Sequence, residues 1–196
     1  MGDAGLSAET FMLNFHMEDF FKNYLDLIVD DMIWDTIPDI VPHYKGGRPG
    51  DPSWSAAFPE IIYRIAKHGD LNTVKGYYDN MMKYLRKMIS FIPEEGIGNY
   101  FYCYGDWDPA PEHKKVNSSF TSAFSLLNNL REAMELANNL GHKDDADMIK
   151  KLFDQQGDAF NKAFMNSSAQ YLDGAQVTYV FPLALDIVPA LSLIHI

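Results

Sequence analysis

Apolar residues recur along this chain at alternating three- and four-residue steps. That spacing constrains the fold more than any other feature of the sequence. The clearest run is Leu71, Val74, Tyr78, Met81, Leu85, Met88 and Ile92, a stripe down one face of a helix. Phe120, Phe124, Leu127, Leu130, Met134 and Ala137 repeat it. So do Met17, Phe21, Tyr24, Ile28 and Met32, and, across a gap at Gln156, Ala146, Ile149, Phe153, Phe160 and Phe164. Shorter helices are expected near 5–14, 54–67 and 174–188. Strand-like alternation is confined to Tyr100–Tyr104. The chain therefore reads as all-α.

The connections are as informative as the helices. Gly69-Asp70 places a glycine able to take the left-handed position after one helix and an aspartate able to cap the next. Gly141-His142-Lys143 repeats the arrangement before Asp144, and a tight turn is expected near Asn14–His16. Residues 33–53 and 92–116, by contrast, are long connections rich in proline and glycine, and a medium loop spans 166–173. Helices joined by short turns run antiparallel. Tight turns then gather at one end of the array and long loops at the other, where long loops in a compact domain are usually functional.

The long-loop end collects a particular chemistry. Asp3 begins the first helix, Trp54 follows Gly50-Asp51-Pro52-Ser53, and Asp106-Trp107-Asp108 sits in the second long loop. An aromatic face stacks on the C–H face of a sugar, and carboxylates accept hydrogen bonds from its hydroxyls. Each part has a plainer reading: a Gly-Asp pair before a helix is commonly a turn and N-cap, a loop tryptophan commonly packs under its own loop, Asp106-Trp107-Asp108 can be a solvated turn, and Glu94-Glu95 reads as exposed charge. Their joint placement on one rim sets a carbohydrate site level with these plainer readings.

Other chemistries find less support. With 16 basic against 27 acidic residues, no basic face is expected for nucleic acid or for an anionic membrane surface. No apolar run is long enough to span a bilayer. Residues 1–5 lack the charged and apolar regions of a secretory leader, and the triplets at Asn117 and Asn166 hint only weakly at secretion, so location stays open. The six histidines show no metal-ligand spacing, Gly46-Gly47-Arg48-Pro49-Gly50 lacks the lysine and hydroxyl of a phosphate loop, and no Gly-x-Ser-x-Gly elbow occurs. The lone Cys103 reads as a small buried side chain. Neither a metal nor another cofactor is expected.

The ordered motifs resemble the helical catalytic domain of the α-L-rhamnosidases of glycoside hydrolase family 78. They are Gly2-Asp3-Ala4, Ile37-Pro38-Asp39-Ile40-Val41-Pro42, Gly50-Asp51-Pro52-Ser53-Trp54, Gly105-Asp106-Trp107, and Gln176-Val177-Thr178 leading to Leu183-Ala184-Leu185 and Val188-Pro189. The resemblance covers residues 1–190 and implies an (α/α)6 toroid of six hairpins, of which about seven of the twelve helices fall in this chain. It implies an inverting enzyme that removes terminal α-L-rhamnose. Asp3 matches a family aspartate that hydrogen-bonds rhamnose, Trp54 and Trp107 match aromatic walls of the sugar pocket, and Asp106 helps to hold the second tryptophan. The family's general-acid glutamate lies just upstream of the Gly-Asp matched by Gly2-Asp3, and its general base lies beyond the Val-Pro matched by Val188-Pro189. The resemblance thus implies that the chain is part of a larger domain with both catalytic carboxyls outside it, and that alone it does not turn over substrate. Residues 191–196 read as a non-native tail. Ser55-Ala56-Ala57 stands where the family usually has Gly-Asp-Ala, which removes one family carboxylate. Two alternatives remain: a six-hairpin glycosidase acting on another sugar, and a non-catalytic helical-repeat binding protein.

Overall fold

In the computed structural model, residues 1–93, 96–97, 104–106 and 115–189 are described. The helices are α1 (Gly2–Asn14), α2 (Glu18–Asp30), α3 (Pro52–Ser55), α4 (Ala57–His68), α5 (Leu71–Val74), α6 (Tyr78–Ile89), α7 (Ser118–Leu140), α8 (Lys143–Phe164) and α9 (Gln176–Ala184). No named strand occurs among the described residues; the segment 100–103 lies outside them.

The apolar stripes account for the core. One cluster joins Phe21, Leu25 and Ile28 of α2 to Ile61, Ile62 and Ile65 of α4, Met81, Leu85 and Met88 of α6, and Leu126, Leu130 and Ala133 of α7. A second cluster, rich in aromatic rings, joins α7, α8 and α9. Phe120 lies 4.9 Å from Phe160 and 5.1 Å from Phe164 between ring centroids, and Phe124 stacks on Phe181 at 4.0 Å. Burying a large apolar side chain contributes about 1.5–3 kcal/mol, so these clusters fix the hairpins against one another.

Local chemistry refines three of the helix assignments. The stripe over 71–92 is not one helix: α5 ends at Val74, a 3-10 turn covers Lys75–Tyr77, and α6 starts at Tyr78. The segment 54–67 is likewise split, α3 giving way to α4 at Ala56. The third concerns the start of α8, which is Lys143 with His142 in the cap position, so Asp144 sits inside the first turn and does not cap it. Its charge there faces the positive end of the helix dipole.

The turns sort as the spacing predicts, with one correction. Gly141 is left-handed (φ +84°) and closes α7, the His142 N–H donating to Ala137 O at 2.8 Å. Gly69 is not left-handed; its φ is −123°. Glycine is required there for space, because a Cβ would come within 2.6 Å of the Glu18 carboxylate. Asp70 caps α5 as expected, accepting from Asn72 N at 2.8 Å. The tight turns meet at one end: Glu18 at the start of α2 accepts from Thr73, and Tyr78 at the start of α6 stacks on His142 and donates to Asp145 at 2.9 Å. The starts of α1, α3, α7 and α9 are left at the opposite end.

Candidate active site

The long-loop rim is built on a buried pair of aspartates. Asp39 and Asp51 are both almost fully buried. Asp39 accepts from Asp51 N at 2.7 Å, Gly47 N at 2.6 Å and the Tyr104 hydroxyl at 2.9 Å. Asp51 caps α3, accepting from Ser53 N at 2.7 Å, from Ser53 Oγ at 2.6 Å, and from Tyr104 N. Burial pushes the Asp51 carboxyl up, against the opposing pull of these donors. Gly50 allows this crossing, since a Cβ there would lie 2.8 Å from the Asp39 backbone. The two aspartates therefore tie the first long loop, the start of α3 and Tyr104 of the second long loop into one unit. The N-cap reading of the Gly50-Asp51 pair is the structural role of Asp51.

That unit carries Trp54. The indole meets the Tyr104 ring edge-on, with centroids 5.4 Å apart. Its other flank touches α1 at Gly2, where a Cβ would lie 2.8 Å from Trp54 Cε3. Ser55 turns inward: its Oγ pairs with the Tyr84 hydroxyl at 2.7 Å and donates to Asp51 O at 3.0 Å. Ala56, at the position where the resembled family usually carries aspartate, is buried.

Above this floor is a cavity of about 380 Å³ lined by Gly2, Asp3, Leu6, Ser53, Trp54, Glu60, Gly105, Asp106, Thr121, Phe124, Ser125, Val177 and Phe181. Its walls are the starts of α1, α7 and α9, the residues 53–60 and the second long loop. The volume lies in the range of small-molecule sites. The structure thus brings Asp3, Trp54 and Asp106 into one cavity, with the apolar wall supplied by Phe124, Val177 and Phe181. Trp107, Asp108, Cys103, Glu94 and Glu95 lie outside the described residues. The wall formed by α9 is held by Thr178, which donates to Tyr171 O at 3.1 Å, and by Asn161, which donates to Ile187 O at 2.7 Å.

One ionisable lining residue was not read from the sequence. Glu60 sits on α4 with its carboxyl against α1, where a Cβ at Gly5 would come within 2.5 Å of Oε2. Burial, and then the nearby charge of Glu132, push its carboxyl up to about 8, while Arg64 pulls the other way. The available signal was a single carboxyl inside the apolar run Ala56-Ala57-Phe58-Pro59-Glu60-Ile61-Ile62. Glu132, buried on α7, lies 3.5 Å from the Arg64 guanidinium, and burial raises it to about 7.

Comparison with known proteins places this architecture. The helical hairpins, with a cavity at the long-loop rim, define a glycosidase domain of the (α/α)6 class, of which these helices form part. The chain belongs to the family described as the bacterial alpha-L-rhamnosidase 6 hairpin glycosidase domain, which it matches over residues 1–194. It is similar to the alpha-L-rhamnosidase from Dictyoglumus thermophilum, at 29% identity and a TM-score of 0.85, over 97% of this chain and 22% of that one. The Streptomyces avermitilis alpha-L-rhamnosidase complexed with L-rhamnose shares the fold at 22% identity, with a TM-score of 0.80 over 97% of this chain and 18% of that one. The Aspergillus terreus enzyme shares it at 16% identity, with a TM-score of 0.80 over 96% of this chain and 24% of that one. No curated protein sequence matches the chain. The chain spans about a fifth of the length of the solved enzymes it matches. Among the described residues, no helix is long and apolar enough to cross a membrane.

Proposed function

We propose that this chain forms the sugar-binding part of an inverting α-L-rhamnosidase that removes terminal α-L-rhamnose from glycosides. One observation carries the reading. Asp3 and Asp106 line the same cavity as Trp54, and neither aspartate has a side-chain hydrogen bond among the described residues. Carboxyls left without donors beside an indole suit the hydroxyl groups and C–H face of a monosaccharide. Family membership supports the choice of hydrolase, and the relative bound to L-rhamnose supports the choice of sugar. In this reading Asp3 and Asp106 accept from sugar hydroxyls and Trp54 walls the ring.

Inversion requires an acid to protonate the leaving oxygen and a base to activate water on the opposite face of the ring. We assign both to residues outside this chain. It spans 22% of the Dictyoglumus enzyme, and the family's acid and base positions fall upstream of Asp3 and beyond Pro189. The isolated chain then binds rhamnose reversibly and does not cleave it from a glycoside.

Calorimetric titration with L-rhamnose, D-mannose and D-glucose tests the assignment. L-Rhamnose should bind best, and Trp54→Ala should weaken it about tenfold or more, as truncation of a central tryptophan does. A second sugar specificity is favoured by one observation: Ala56 replaces the usual family carboxylate and is buried, so that position offers the sugar no polar group. Preference for another monosaccharide, still lost in Trp54→Ala, would select that reading. Rhamnose release from an aryl rhamnoside by the isolated chain would overturn the placing of the acid and base.

A further inference from the structure

Resting on the reading of the rim as a sugar site, we propose that Glu60 is a substrate-contacting, specificity-determining residue: its carboxyl, on the α4 side of the cavity, hydrogen-bonds a hydroxyl of the bound sugar. The geometry comes first. Glu60 lines the cavity with Asp3, Trp54 and Asp106. Its side chain makes no hydrogen bond and no ion pair among the described residues. The nearest cation is engaged elsewhere, since Arg64 reaches Glu132 at 3.5 Å and Glu9 at 3.7 Å. A partly buried polar group left without a hydrogen-bond partner is unfavourable. A sugar hydroxyl entering the cavity supplies the missing partner.

Its position is set from both sides. Gly2 and Gly5 are three residues apart, so they share one face of α1. Gly2 admits the Trp54 indole and Gly5 admits the Glu60 carboxyl. A side chain at either position would push α1 away from the site. The same face of α1 therefore seats the stacking residue and this carboxyl side by side, with Asp3 adjoining.

The charge of the surroundings decides what Glu60 can do. The titratable groups facing it are Arg64 on its own helix, Glu132 on α7, Tyr84 on α6, Asp3 on α1 and Asp106 in the second long loop. Burial and Glu132 raise the carboxyl to about 8, so near neutral pH Glu60 is protonated and can donate. Asp3 and Asp106 supply acceptors. A donor facing acceptors fixes the direction of a hydroxyl's hydrogen bonds, and a site built to hydrogen-bond a particular hydroxyl rejects sugars lacking it strongly.

The test measures L-rhamnose binding to the full chain by calorimetry from pH 6 to pH 9, for wild type, Glu60→Ala, Glu60→Gln and Trp54→Ala, each first checked for folding by circular dichroism. Glu60→Ala should weaken binding by about five- to tenfold, the loss expected for one hydrogen bond with its partner left unmatched. Glu60→Gln keeps a donor, so it should bind within about twofold of wild type at neutral pH. Wild-type affinity should fall as pH passes about 8, while Glu60→Gln stays flat. Glu60→Ala binding like wild type, while Trp54→Ala fails to bind, would overturn the role of Glu60 and leave the sugar site standing. A pH profile identical in wild type and Glu60→Gln would mark Glu60 as a purely structural residue and also overturn it. No binding by wild type, or none lost in Trp54→Ala, would overturn the sugar site and this role together.

Discussion

At the tight-turn end of the array, acidic side chains serve the fold. Glu18 accepts from Thr73 and from Asp70 N at 3.3 Å, tying the first turn to the second. Asp26 accepts from Tyr77, and Asp145 from Tyr78. Glu9 accepts from His68 at 2.9 Å and Lys67 at 3.2 Å, and these contacts hold its carboxyl below the usual range. At the long-loop end the carboxyls divide. Asp39 and Asp51 are saturated by donors and build the platform, whereas Asp3, Asp106 and Glu60 line the cavity without hydrogen bonds among the described residues. Carboxyls that the fold places but does not itself use mark the candidate site.

The largest effect expected from this contrast is on pH dependence. Glu60 and Glu132 are raised to about 8 and about 7, so the folded state keeps protons that the unfolded chain releases above about pH 4.5. Their contribution to stability is full below that value and is lost as pH rises through 7 and 8. Each group then weakens the fold by about 1.4 kcal/mol per pH unit over its window, as an order of magnitude. Thermal melts should show stability falling from pH 5 to pH 8, with a shallower fall in Glu60→Gln and Glu132→Gln. A melting temperature that rises over that interval would contradict the burial of these carboxyls. At acid pH the sign reverses for Glu9 and Asp26, whose lowered values remove stability as they protonate.

Next in size is the platform. Asp51→Ala removes the acceptor of Ser53 and Tyr104 within a buried site and should cost about 3 kcal/mol in urea unfolding. It should also release Trp54 and weaken sugar binding. Gly5→Ala brings a methyl against Glu60 and the Ala57 backbone and should cost about 2 kcal/mol through overpacking. Smallest is Glu18→Ala at the opposite end, where lost hydrogen bonds should cost about 1 kcal/mol and leave rhamnose affinity unchanged. Equal losses of sugar binding in Glu18→Ala and Asp51→Ala would erase the distinction between the two ends.

Much of this was legible in the sequence because it depends on local spacing. The stripes through α2, α6, α7 and α8 announce their helices, and the order of tight and long connections places Asp3, Trp54 and Asp106 on one rim. What the sequence hides depends on closure of the chain upon itself. Gly69 reads as a left-handed cap, yet its role is to make room for Glu18, from a helix far away in sequence. The Asp39–Asp51 platform exists only once Gly50 crosses the Asp39 backbone. Glu60 was missed because a carboxyl in an apolar helix gives no sign of which neighbours will surround it.

In the proposed reading the long-loop rim, and not the tight-turn end, receives the sugar. Adding L-rhamnose to the isotopically labelled chain and following the backbone amides by nuclear magnetic resonance tests it directly. Saturable shifts are expected at Gly2, Asp3, Ser53, Trp54, Gly105 and Asp106, with Glu18, Asp70 and His142 unmoved. Shifts centred on the tight turns, or none at the rim at saturating sugar, would contradict it.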